Sequence, residues 1–224
     1  MQDVTIKTID DVDIAGLLWE RGDSNADAPQ AKKKNLLLLH MMPEAKESWV
    51  DLAEEAYTRG YNVLAIDFRG HGQSGGGDYT KFTAEDHQKY FIDARAAMNF
   101  LEDKYLESKT FLIGASIGAN IALQILSHDP LVEKVVALSA GTDYHGVRAI
   151  DFVAGLDGRR SVLLIASKDD VRKTGSDTAQ MANELAKVCK GKCETVIYEK
   201  GGHGTDMLKT HPQLLTKILD FFEK

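Results

Sequence analysis

Gly114-Ala115-Ser116-Ile117-Gly118 sets a serine between two glycines, directly after the apolar run at residues 111–113 and before a helix-forming stretch. A serine on a sharp strand-to-helix turn has strained backbone angles and crowded neighbours, so small residues are needed two positions before and after it. The hydroxyl becomes a nucleophile only when a base removes its proton, and that base must itself be oriented by a carboxylate. Among seven histidines, His203 lies in Gly201-Gly202-His203-Gly204, between the last apolar run and the last amphipathic segment. His40 and His71 precede the serine and read as structural hydrogen-bonders, whereas His87, His128 and His211 read as surface helix residues. For the carboxylate, Asp169 and Asp170 both follow the run at 162–165, and Asp143 follows the run at 135–138; each opens onto the same edge. A turn in which Asp169 and Asp170 only cap the following residues is the plainer alternative.

The elements that must position these groups follow from the apolar pattern. Segments 4–9 and 12–19, separated by Asp10-Asp11, suggest an antiparallel hairpin. Polar residues 23–34 read as a loop, with the only basic run, Lys32-Lys33-Lys34, solvated at its end. Apolar runs at 36–39, 63–66, 111–113, 135–138, 162–165 and 195–198 suit strands buried on both faces. Amphipathic segments at 46–59, 85–106, 117–128, 176–190 and 212–222 suit the intervening helices, and Phe91, Ala94, Met98 and Leu101 mark a core face on the second. Strand and helix alternating in this way imply right-handed crossovers, hence an α/β fold with a doubly wound, mostly parallel sheet and helices on both faces. Ligand sites in such sheets lie beyond the carboxyl ends of the strands, where the residues named above fall.

A length of 224 residues reads as a single domain spanning 1–224. Thirty-four acids against 27 bases leave a net charge of −7, which argues against a nucleic-acid groove or an anionic membrane surface as partner. The absence of an 18-residue apolar run and of a basic, apolar leader points to the cytoplasm. Cys189 and Cys193 cannot alone complete a zinc site, and cytosolic conditions would keep both as free thiols, with a local disulfide as the lesser alternative.

With these residues in view, nearly the whole chain resembles the α/β-hydrolase superfamily, in its capless esterase and dienelactone-hydrolase-like form. The order Ser116, Asp, His203 is that family's order, and the segment from Asp67 to Ser74 after the run at 63–66 is similar too. In the family the acid stands three residues after a small residue ending the strand; on Ser167 this selects Asp170. The resemblance further implies an oxyanion hole from the amides of Ile117 and Met42, although this chain reads His40-Met41-Met42-Pro43 where relatives commonly carry His-Gly. Met41, Tyr144 and His145 are then candidate pocket residues, with Phe152 in the same connection. Only 22 residues, 139–160, separate two strands where many relatives insert a cap, so no full lid fits. What the resemblance implies is a serine hydrolase of small carboxylic esters working through an acyl-enzyme, with no cofactor or metal. A peptidase, amidase or thioesterase using the same triad is the alternative, and a non-catalytic binding module the alternative of another class.

Overall fold

The computed structural model describes residues 1–20, 34–172, 175 and 177–224. In chain order the elements are β1 (Gln2–Lys7), β2 (Asp13–Trp19), β3 (Lys34–Leu39), α1 (Val50–Thr58), β4 (Tyr61–Ile66), α2 (Ala84–Gln88), α3 (Tyr90–Lys104), β5 (Lys109–Ala115), α4 (Ile117–His128), β6 (Lys134–Leu138), α5 (Ala149–Ala154), β7 (Ser161–Ser167), α6 (Thr178–Val188), β8 (Lys192–Tyr198), α7 (Asp206–Thr210) and α8 (Gln213–Glu223). They form one sheet in the order β1-β2-β4-β3-β5-β6-β7-β8. Only the β1–β2 and β2–β4 pairings are antiparallel.

The continuous apolar runs are strands covered on both sides, because alternate side chains leave opposite faces of the sheet. Leu37 and Leu39, with Leu112 and Leu164, join the layer under α3 and α4. Leu36 and Leu38, with Ile113 and Ile165, join the layer under α1 and α8. Every one of these leucines and isoleucines is buried.

Local chemistry changes several sequence-based boundaries. The helix expected over 85–106 is broken at Lys89, and α2 opens on a capping box in which Thr83 and Asp86 bond each other's backbone amides. The helix expected over 46–59 starts as a 3₁₀ turn, Lys46–Trp49, before α1. Of the loop expected over 23–34 and its basic run, residues 23–33 lie outside the described residues, and Lys34 opens β3 as a half-buried residue instead of ending a loop. The helix expected over 176–190 corresponds to α6, with Ser176 outside the described residues. His87, expected on the surface, is buried, its Nδ1–H donating to the Thr83 carbonyl at 2.7 Å. His211 is not in a helix; it follows α7, half-buried, with its ring stacked on Tyr198 at 3.9 Å. His128 ends α4 and is exposed.

The free-thiol expectation is overturned: Cys189 and Cys193 form a disulfide. Cys189 caps the end of α6 and Cys193 is the second residue of β8, four positions on, so closure needs no distant partner, and this proximity outweighs the compartment argument. Among the described residues no helix is long and apolar enough to cross a membrane.

A buried ion pair ties the segment before α1 to the end of β4. Lys46 Nζ lies 2.8 Å from Asp67 Oδ2, with the two side chains 1% and 0% exposed. The Lys46 amide and the Gln73 amide also donate to Asp67, at 2.8 and 2.9 Å. Lys46→Met should therefore strand a buried carboxylate and lower stability by about 3 kcal/mol, read as a shift in the urea midpoint; an unchanged midpoint would refute the pair's structural weight.

Candidate active site

The turn at Ser116 is built by close backbone approach. Ser116 has φ 54° and ψ −119°, and its amide donates to the Leu138 carbonyl at 2.9 Å. A Cβ on Gly114 would overlap the Gly118 carbonyl, and one on Gly118 would overlap the Leu39 carbonyl, so both positions require glycine. The turn thus packs the start of α4 against the end of β3. Strain held by its surroundings in this way projects the serine beyond the strand ends, where it is 6% exposed.

The connection after β8 presents His203, whose Nδ1 lies 2.7 Å from Asp170 Oδ2, and Gly204 of the same connection comes close to Ala115, the residue before the serine. The carboxylate is held in turn by the Thr178 hydroxyl at 2.8 Å. Burial works to raise the Asp170 pKa, but hydrogen bonding and attraction to His203, with bonds from Thr178 and Ser139, bring it below the ordinary carboxylate value. An ionised Asp170 makes Nδ1 the protonated nitrogen, leaving the Nε2 lone pair of His203 to accept a proton.

The neighbouring aspartate has a different task. Asp169 Oδ1 accepts the amides of Gly201 and Gly202 at 3.0 and 3.1 Å, fastening the loop that carries His203. Ser167 donates to the Gly202 carbonyl at 2.7 Å, and the Ser139 hydroxyl accepts the Gly204 amide at 2.9 Å. Asp143 instead accepts the Gly146 amide at 2.8 Å and stands 3.8 Å from Arg148, within its own turn. Of the three aspartates, Asp170 is the one bonded to the imidazole.

The loop after β3 is fixed by His40. Its Nε2 accepts the Phe68 amide and its Nδ1–H donates to the Met41 carbonyl, both at 2.9 Å. Burial pushes its pKa down to about 4, so it stays neutral and can serve both partners. Among the described residues, neither the Ile117 amide nor the Met42 amide donates to a protein acceptor. Met41 is buried beneath the His203 loop, its sulfur accepting the Thr205 hydroxyl at 3.9 Å. Met42 is half-buried, with its sulfur 4.0 Å from the Tyr90 hydroxyl.

Tyr144 does reach the site. Its hydroxyl donates to the Ser139 carbonyl at 3.3 Å, burial raises its pKa to about 12, and the nearby Ser116 hydroxyl works slightly the other way. His145 turns onto α2 instead, stacking on His87 at 4.0 Å, and Phe152 packs edge-on to His128 at 5.8 Å. Three residues escaped the sequence reading. Ser139 has φ 51°, which no local signal announces in a serine. Thr178 is recognisable only once α6 is known to start beside Asp170. Arg172 places Nη1 at 3.1 Å from His203 Nδ1 and 3.4 Å from Nε2; its sole sequence signal is lying two residues after Asp170.

Among the described residues no cluster of histidine, cysteine, aspartate or glutamate could hold a metal ion. The arrangement instead offers a hydroxyl, a carboxylate-oriented imidazole and two unengaged amides, a set suited to acyl transfer.

Comparison with known proteins agrees with this geometry. The family model described as Hydrolase_4, serine aminopeptidase S33, matches residues 30–187. A search of curated proteins finds no match. The chain is similar to the solved Pyrococcus furiosus esterase Pf2001, at 23% identity and TM-score 0.79, covering 99% of this chain and 91% of that one. It is also similar to the esterase EaEST from Exiguobacterium antarcticum, at 15% identity and TM-score 0.74 with full coverage of both chains. A third similar structure is Est1E from Butyrivibrio proteoclasticus with ferulic acid bound, at 18% identity and TM-score 0.72, covering 98% of this chain and 97% of that one.

Proposed function

We propose, from the premise that this chain belongs to the Hydrolase_4 (serine aminopeptidase, S33) family of α/β-hydrolases, that it is a serine carboxylesterase acting on small esters. The observation that carries this reading is the 2.7 Å His203–Asp170 bond in a protein whose Gly-x-Ser-x-Gly turn holds Ser116 at φ 54°. Similar solved esterases add support for the ester as substrate.

In this reading Ser116 Oγ attacks the ester carbonyl while His203 Nε2 takes its proton. Negative charge on the carbonyl oxygen is received by the Ile117 and Met42 amides, which are already oriented and need no reorganisation. His203 returns the proton to the departing alcohol, leaving an acyl-Ser116. Water, deprotonated by His203, then attacks the acyl carbon, and Ser116 is restored as the carboxylic acid leaves. Asp170 stays ionised throughout and stabilises the imidazolium.

The family description favours a second reading, hydrolysis of aminoacyl amides. An aminopeptidase must hold a free ammonium group near the scissile bond, and that requires an uncommitted carboxylate. Here Asp169 and Asp170 are engaged and Arg172 contributes positive charge, so the ester reading is preferred. Fluorophosphonate labelling followed by matched ester, thioester and aminoacyl-anilide substrates tests both. Labelling at Ser116 with fastest turnover of esters is expected; failure to label would overturn the hydrolase reading.

The short connection from β6 to β7, whose only helix is α5, also sets acyl-length preference. A long chain gains about 0.8 kcal/mol per methylene only where an apolar wall covers it, and without a cap much of it stays wet. Catalytic efficiency on p-nitrophenyl esters should peak at short acyl groups between acetate and palmitate. A maximum at palmitate would contradict this.

A further inference from the structure

We propose that Arg172 is a substrate-selecting residue that binds a carboxylate on the alcohol portion of the ester, so that the preferred substrates are acyl esters of hydroxy acids. The inference rests on the esterase reading and adds a substrate class to it.

Arg172 lies against the His203–Asp170 pair and the Tyr144 ring. Its Nη1 approaches both nitrogens of His203, and its guanidinium carbon stands 5.5 Å from the centre of the Tyr144 ring. Its carboxylate neighbour is Asp170, at 3.5 Å, but the other oxygen of Asp170 already serves His203 and Thr178. One carboxylate is therefore shared by a permanent cation and by an imidazole that must become cationic during the reaction. Near both ring nitrogens at once, Nη1 lies over the face of the imidazole and not along the Nε2 lone pair, so its charge opposes the imidazolium that must form there.

An anion supplied by the substrate resolves both conflicts. A carboxylate can take two parallel bonds from the guanidinium fork, drawing it off the imidazole ring and neutralising the charge next to the forming imidazolium. The gain is larger in the transition state than in the ground state, so it is expected in kcat as well as KM. Because Nε2 of His203 protonates the leaving alcohol, a guanidinium with Nη1 within 3.4 Å of that nitrogen lies near the leaving group, which places the selected carboxylate on the alcohol portion.

The test compares 3-acetoxybenzoate with its methyl ester, each rate divided by its uncatalysed hydroxide rate. Arg172 is one-third exposed, so solvent and salt trim a charge-assisted pair to about a tenfold preference in kcat/KM for the carboxylate. Arg172→Gln should bring the ratio near one, lowering the rate on the anion and raising it on the methyl ester; Arg172→Lys should retain part of the preference. Free 3-hydroxybenzoate should inhibit the wild-type protein competitively, less so as salt rises, a measurement that needs no variant. Equal efficiencies on the two esters in the wild-type protein, a preference confined to an acyl-side carboxylate such as monophenyl succinate, or an equal fall on both esters in Arg172→Gln would overturn the assignment. Turnover of the methyl ester is the internal control. If it persists without the preference, only the role of Arg172 falls; if it and fluorophosphonate labelling are both absent, the esterase reading falls.

Discussion

Ser116→Ala is expected to leave a folded protein whose ester turnover is about 10⁴-fold or more below wild type. The side chain lost is one oxygen, so packing changes little, and alanine has to hold the same φ 54° that serine holds now. Circular dichroism and thermal unfolding should therefore stay close to wild type while kcat collapses. Residual activity would come from the amides of Ile117 and Met42, which polarise a bound carbonyl for attack by water. Substantial turnover in a well-folded Ser116→Ala protein would remove the nucleophile assignment.

Asp170→Asn should come next in size, with kcat lowered by about 10⁴-fold, because an asparagine nitrogen facing Nδ1 favours the wrong imidazole tautomer and supplies no charge. Asp169→Asn separates orientation from loop support. Its remaining side-chain oxygen can still accept from Gly201 and Gly202, so a loss of roughly tenfold or less is expected, and it should appear with a lower unfolding temperature. Equal, near-wild-type rates in the two variants would show that neither carboxylate orients the base, and a large loss in Asp143→Asn would then move the role to the loop after β6.

The parallel core was legible because burial on both faces writes itself into composition. Four consecutive leucines at 36–39 have no other economical use in a chain of this length. The serine turn was legible for a related reason: Gly114 and Gly118 are demanded by contacts their own neighbours make. What stayed hidden depends on residues distant in sequence. Asp169 could not be assigned to loop support until the amides of Gly201 and Gly202 came within its reach. His87 looked like a helix surface residue because its cover, the His145 ring, comes from the connection between β6 and β7. The disulfide was misread for a different cause, since a cellular location was used to decide a matter of four residues' separation.

The strand order has a consequence for the growing chain. From β3 onward, β5, β6, β7 and β8 are laid down one after another along the same side of the sheet. Each therefore docks on an edge already present when it leaves the ribosome, and the N-terminal part can organise while the remainder is being made. The serine turn, secured against β3 and β6, is in place before the acid of β7 arrives, and the base comes last with the loop after β8. The Ser116 turn thus precedes His203 by 87 positions in the order of synthesis, and the two meet only once β7 and β8 have been added to the sheet.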